Sequence, residues 1–154
     1  MSQPQNPPVR VGAIDHVAIV VADLTATRRF YVGLLGMNEV ERPDFNFAGA
    51  WFEAGGTLVH AIAEHEESGP PGEVIAEGVR ISRTQHLAFG VDDAVAAAGR
   101  LRQRGVAIAA GPKGRPDGAA QTVIQDPDGY VIELVSEPCG AVLPVDGGRS
   151  DSGA

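Results

Sequence analysis

Gln125-Asp126-Pro127-Asp128-Gly129-Tyr130-Val131-Ile132-Glu133-Leu134-Val135 is the stretch whose reading decides the fold. It opens as a turn. Pro127 presets φ near −65°, and Gly129 tolerates positive φ. It continues as a strand of β-formers from Tyr130 to Val135. One carboxylate, Glu133, interrupts that strand between Ile132 and Leu134. An ionised Glu in an apolar strand is costly unless something compensates it. Three arrangements satisfy it: an arginine partner, a solvent-facing position on a half-wet strand, or a metal ion.

Working outward from Glu133, three more strands each carry one histidine in a similar setting. Ala13 to Val21 reads as a strand with His16. Thr57 to Glu64 contains His60, and Thr84 to Val91 contains His86. Asp23 caps a helix over residues 24–35, and Asp93 one over 94–104, each followed by a terminating glycine, Gly36 and Gly105. Residues 37–40 form a short strand. Residues 48–53 pair with 57–64 around Gly55-Gly56. Residues 106–110 read as a strand, Gly111 to Gly118 as a loop rich in breakers, and 119–125 as the partner of 130–135.

The chain is therefore an internal repeat. His16 and His86 lie 70 positions apart, as do Asp23 and Asp93, and His60 and Glu133 lie 73 apart. The expected class is α+β, two βαβββ modules forming a half-open eight-stranded barrel. The expected organisation is a flexible tail (1–11), one domain (12–137) and a second tail (138–154). Within the domain a module at 12–66 is followed by a linker at 67–83, with a short helix or strand near 74–81, and a module at 84–137.

Strand side chains alternate faces. His16 shares a face with Ala18, and His86 with Ala88, while Val17, Ile19, Leu87 and Phe89 turn away to pack under helices. If the halves pair about a pseudo-twofold, the first and last strands of each can converge on one concavity. Three neutral imidazoles and a carboxylate suit a divalent transition metal such as Fe, Mn, Ni, Co or Zn. Each histidine alone is also what a hydrogen-bonded core residue looks like; four at corresponding places favour the metal. His65, among Glu64, Glu66 and Glu67, reads as a surface residue.

Composition sets limits. The 154 residues are 44% hydrophobic and carry a net charge of −8, which argues against nucleic acid or an anionic membrane as a partner. No apolar run is long enough to span a bilayer. Cys139 is the sole cysteine, which excludes an intrachain disulfide and predicts a cytoplasmic protein. The N-terminal residues lack the pattern of a signal peptide.

Ile14-Asp15-His16-Val17-Ala18-Ile19, Gln85-His86-Leu87-Ala88-Phe89 and Asp126 to Leu134 resemble the vicinal oxygen chelate superfamily. That superfamily includes glyoxalase I, extradiol dioxygenases, methylmalonyl-CoA epimerase and the fosfomycin and bleomycin resistance proteins. The resemblance covers about residues 12–137. It implies paired βαβββ modules around a metal, often in homodimers, with ligands at His16, His60, His86 and Glu133. It implies a small oxygenated substrate and a glyoxalase- or epimerase-like proton transfer, in which Glu133 or His60 acts on the proton. A non-haem iron dioxygenase and a drug-binding resistance protein are the alternatives. His60 stands where glyoxalase I carries Glu. Val123 stands where a ring-cleaving dioxygenase would need a hydrogen-bond donor. Lys113 and Arg115 are either anchors for a substrate carboxylate or phosphate, or solvated loop charges. Trp51, Phe45, Phe47 and Phe52 are either cavity wall or core.

Overall fold

A computed structural model describes residues 1, 6–138 and 143–145. The first module runs β1 (His16–Val21), α1 (Leu24–Arg28, continuing as π-helical turns over Arg29–Leu34), β2 (Asn38–Val40), β3 (Gly49–Ala54) and β4 (Thr57–Ala63). The second runs β5 (Leu87–Gly90), α2 (Ala94–Gln103), β6 (Ala110–Gly114), β7 (Ala120–Gln125) and β8 (Val131–Ser136). Both expected helix starts hold. Asp23 accepts from the backbone N–H of Thr25 and Ala26, and Asp93 from those of Val95 and Ala96. Each satisfies donors that the first turn leaves unpaired.

The strands form two four-stranded sheets with the same plan, ordered β1-β4-β3-β2 and β5-β8-β7-β6. In each, the first strand runs parallel to the last and the other pairs are antiparallel. The repeat read from the spacing is thus a repeat of topology. Among the described residues no strand of one sheet pairs with a strand of the other.

Two local expectations fail. The 67–83 segment holds only a 3-10 turn, Ile81–Arg83. The strand expected at 106–110 lies further on, at Ala110–Gly114, within the stretch read as a loop. β6 is an edge strand, where the missing N–H of Pro112 disrupts no inner ladder. Its pairing with β7 shifts register between Ala110 and Lys113. Gly111 makes that shift possible: its φ is +84°, and a Cβ there would lie 2.5 Å from the Gln121 carbonyl oxygen. Breakers that end an inner strand can build a bulge on an outer one.

β1 alternates as expected, with Ile19 and Val21 buried and His16 and Ala18 exposed. The buried faces of both sheets and the helices contribute to one hydrophobic cluster, including Tyr31, Phe52, Val59, Leu101, Ile132 and Leu134. The Asp126–Tyr130 turn fastens the modules together. Tyr130 Oη donates to the Val20 carbonyl (2.9 Å) and accepts from the N–H of Val20 and of Gly72 (both 3.1 Å). Asp128 Oδ1 accepts from the Ala22 N–H at 3.0 Å. The linker passes so close that a Cβ on Gly72 would sit 2.1 Å from the Asp128 carbonyl oxygen. Of the expected flexible tails, residues 2–5, 139–142 and 146–154 lie outside the described residues, and Cys139 with them. Val145 bridges Gly114 at the outer edge of β6.

Candidate metal centre

His16 begins β1, and His60 lies in the middle of the adjacent β4, its Cα paired with that of Ala18. The open face of the sheet therefore presents both imidazoles. Their rings stack, with centroids 4.0 Å apart and planes within 9°. Trp51, paired with His60 across β3 and β4, stacks on its other side at 3.9 Å and 1°. The His60 ring is held between two flat neighbours, and its Nε2 is buried with no hydrogen-bond partner. Burial, reinforced by His16, pulls the His60 pKa below the ordinary imidazole value. His60 is thus kept as the neutral base that a cation requires. On the outer side, His16 Nδ1 and Asp15 Oδ2 lie 2.6 Å apart.

The second module supplies a different pair. His86 immediately precedes β5, and its Nδ1 lies 2.8 Å from the Thr84 carbonyl oxygen. A carbonyl only accepts, so Nδ1 carries the proton, and the opposite nitrogen, Nε2, lies 3.3 Å from Glu133 Oε2. Glu133 is 3% exposed. Its other oxygen, Oε1, accepts from Gln121 Nε2 at 2.9 Å. Sequence reasoning does not single out Gln121. The available signal is its place two residues before Val123, which pairs with Glu133 and so shares its face.

The four residues therefore meet as two pairs, His16 with His60 and His86 with Glu133. Among the described residues no group of three or more His, Cys, Asp or Glu side chains is gathered as a metal site within one chain.

The aromatic residues sort by strand alternation. Phe52 is buried on the helix side, stacked on Tyr31 at 5.4 Å. Trp51 faces the opposite way, beside Phe45 (6.3 Å), which stacks on Phe47 (5.2 Å). Arg42 lies over both phenylalanine rings, 4.9 and 5.3 Å from their centroids. His65 is half-buried against Phe47 rather than a plain surface residue. Lys113 lies in β6 and is buried, donating from Nζ to Ser82 Oγ at 2.8 Å, so it is not a solvated loop charge. Arg115 is occupied by a bidentate pair with Asp117. That guanidinium holds the Asp117 pKa down at about 2.

Residues 13–134 match the model of the Glyoxalase/Bleomycin resistance protein/Dioxygenase superfamily. The chain is 33% identical over 130 residues to a lactoylglutathione lyase of Salmonella typhimurium, covering 78% of this chain and 89% of that one. A solved glyoxalase/dioxygenase from Nostoc punctiforme superposes with a TM-score of 0.66 at 28% identity, over 90% of this chain and 99% of that one. TnmS3, an antibiotic binding protein from Streptomyces sp. CB03234, superposes with a TM-score of 0.65 at 26% identity, over 84% and 98%. Two sheets of one plan, the histidines and glutamate on or directly beside their first and last strands, and the match across both modules agree: this chain belongs to the Glyoxalase/Bleomycin resistance protein/Dioxygenase superfamily.

Proposed function

We propose that the protein is a metal-dependent, glyoxalase-like lyase or isomerase that moves a proton on a small substrate bearing adjacent oxygens. Its site takes His16 and His60 from one copy of the chain and His86 and Glu133 from a second, whose open sheet faces close on one another as a half-open barrel. One observation carries this reading: the donors form two separate half-sets, each with a nitrogen prepared to bind a cation. His60 Nε2 is buried without a partner, and Thr84 holds the proton of His86 on Nδ1, leaving Nε2 for a ligand bond. A ring nitrogen fixed by a backbone carbonyl on the other side is the usual support of a metal-binding histidine. The donor set fits Fe, Mn, Ni, Co or Zn. Relatives named lactoylglutathione lyase support the reaction class.

A divalent ion in this set would polarise a substrate carbonyl and stabilise an enediolate. The chain's own residues do the rest. Glu133 takes the proton from the substrate carbon on Oε2 and returns it to the neighbouring carbon. Gln121 holds Oε1, so that one oxygen is reserved for the transfer. His60, neutral in its stacked position, can serve the same role from the other half-set. Trp51 keeps that ring from turning and shields it from water. Val123, buried opposite Glu133, offers no donor to a bound catecholate, which puts ring cleavage behind proton transfer.

The test is elemental analysis of the purified protein, followed by assay with α-ketoaldehyde–thiol adducts while oxygen is monitored. Bound metal with isomerisation and no oxygen uptake is the expected result; oxygen-consuming turnover of catechols would replace this reading with a dioxygenase. The wall of Trp51, Phe45 and Phe47 favours a second reading, the capture of a flat aromatic compound. The likeness to TnmS3, an antibiotic binding protein, points the same way. Metal-free protein that binds such a compound and turns nothing over would support it.

A further inference from the structure

The two modules repeat one plan, yet large hydrogen-bonded side chains fill their junction on one side and an open space stands on the other. On the filled side stand Tyr31, Asp126 and Tyr130. The repeat offsets, 70 along the helices, 72 along the third strands and 73 along the fourth, put Leu101, Ala54 and Thr57 in the equivalent places on the other side. Leu101 replaces a ring with a shorter aliphatic chain, and Thr57 reaches only the Ile14 carbonyl, at 3.2 Å. The result is a cavity of about 910 Å³ that all three residues line. Small-molecule sites commonly enclose roughly 300–1,000 Å³.

The walls are aliphatic, with Val17, Leu34, Leu35, Met37 and Leu87 among them, and Phe89 is the aromatic contribution. Two cations from the C-terminal end of α2, Arg100 and Arg104, also line it. Both are exposed, and neither has an ion-pair partner among the described residues. Glu53 shares the lining without pairing to either. Two available guanidinium groups beside an aliphatic cavity, on a chain with net charge −8, form a local site for an anion carried on an apolar body. Of the four metal-centre residues, only His86 touches this cavity.

We infer that the unfilled half of the junction is a second binding site, which takes an amphiphile with one aliphatic chain and one anionic head. The chain packs against Leu34, Leu35 and Leu101, and the head pairs with Arg100 and Arg104. The site is independent of the metal reading, because binding is read directly and not through turnover.

The experiment titrates the full chain with dodecanoate, dodecyl phosphate and dodecanol below their micelle concentrations, followed by calorimetry. One saturable site for an anionic probe is expected, with dodecanol at least tenfold weaker. A tighter carboxylate assigns a carboxylate ligand, and a tighter phosphate a phosphorylated one. Gly33 lines the cavity, and a Cβ added there meets nothing within 4 Å. Gly33→Phe therefore fills the space without opposing the backbone and is expected to abolish binding. Arg100→Glu with Arg104→Glu, on the exposed side of α2, should weaken it at least tenfold with an unchanged melting temperature. Absence of saturable anion binding, equal binding of dodecanol, or affinity unmoved by the arginine pair would each overturn the inference.

Discussion

Tyr31 Oη donates to Asp126 Oδ2 at 2.8 Å, joining the helical segment of the first module to the β7–β8 turn of the second, 95 positions away. Both residues are buried. Removing one partner leaves a buried polar group unsatisfied, which costs about 1–3 kcal/mol. Tyr31→Phe keeps the ring stacked on Phe52 and removes only the donor. Its unfolding free energy in urea should fall by that amount with little change in slope; an unchanged midpoint would mean the bond does not hold the modules together.

The same pair sets a pH dependence. Burial pushes the Asp126 pKa above its ordinary 3.8, although Tyr31 and two backbone N–H groups oppose the shift. With the folded value raised, the folded state binds more protons between the two values. The contribution of Asp126 to stability is then full below 3.8 and is lost as pH rises through the raised value. Asp126→Asn cannot ionise. Unfolding curves of the two proteins should show the variant gaining on the parent as pH rises from the ordinary aspartate range, and a constant difference would refute the shift.

Much of this architecture could be read from local chemistry. Asp23 and Asp93 announced the helices, and the spacing of His16, His86, His60 and Glu133 announced a repeat whose sheets have one plan. The face of each aromatic was also within reach: Trp51 and Phe52 are adjacent on a strand, so one must face the core and the other the histidines. What was not legible depends on long-range placement. Nothing near Tyr31 names Asp126 as its partner. The sequence of β6 reads as a loop, because only an edge position next to the Gln121 carbonyl turns Gly111 and Pro112 into strand residues. The same applies to the four candidate ligands, since spacing shows which residues correspond and not that they lie as two separate pairs.

The proposed sharing of the centre between two copies would have a genetic signature. A chain with His16→Ala and His60→Ala retains the second half-set, and a chain with His86→Ala and Glu133→Ala retains the first. Each homodimer should bind little metal. Their mixed dimer would rebuild one intact centre and one doubly defective one. Co-purified heterodimer should then recover about half the metal and activity of the parent per dimer. No recovery would place the whole site within one chain. His86→Ala alone should fold normally and lose metal sharply, since Nε2 is the donor that Thr84 prepares.

His60 carries a second pH effect, of opposite sign. Its folded pKa lies below the ordinary 6.5, chiefly through burial and then through His16. The unfolded chain therefore binds more protons between the two values, and stability is lost as pH falls from 6.5 through the folded value. His60→Gln removes that slope. Unfolding curves of parent and variant should diverge as pH falls from 6.5, with the parent losing stability relative to His60→Gln; a constant difference would contradict the buried, stacked histidine.

Trp51 acts on His60 through the stack, at 3.9 Å and 1°. Loss of a group that orients a metal-binding histidine commonly costs about 10- to 100-fold in metal affinity or activity. Trp51→Ala should show a loss of that order, and Trp51→Phe, which restores a flat face, should recover most of it. Equal losses in both variants would instead assign Trp51 to substrate contact. A metal-binding isotherm alongside kcat and KM separates the two, because substrate contact alone leaves the isotherm unmoved.

Gln121 gives the most direct test of which group moves the proton. Its amide donates to Glu133 Oε1 at 2.9 Å in a site where the carboxylate is 3% exposed. That bond holds the carboxylate by one of its two oxygens. Gln121→Leu keeps the bulk and removes the bond. If Glu133 is the base, kcat should fall about 10- to 100-fold, the usual cost of losing a group that orients a reacting side chain, with the metal-binding isotherm far less affected. If His60 is the base, kcat should hold nearly steady in Gln121→Leu and fall in Trp51→Ala, whose substitution releases the His60 ring from its stack.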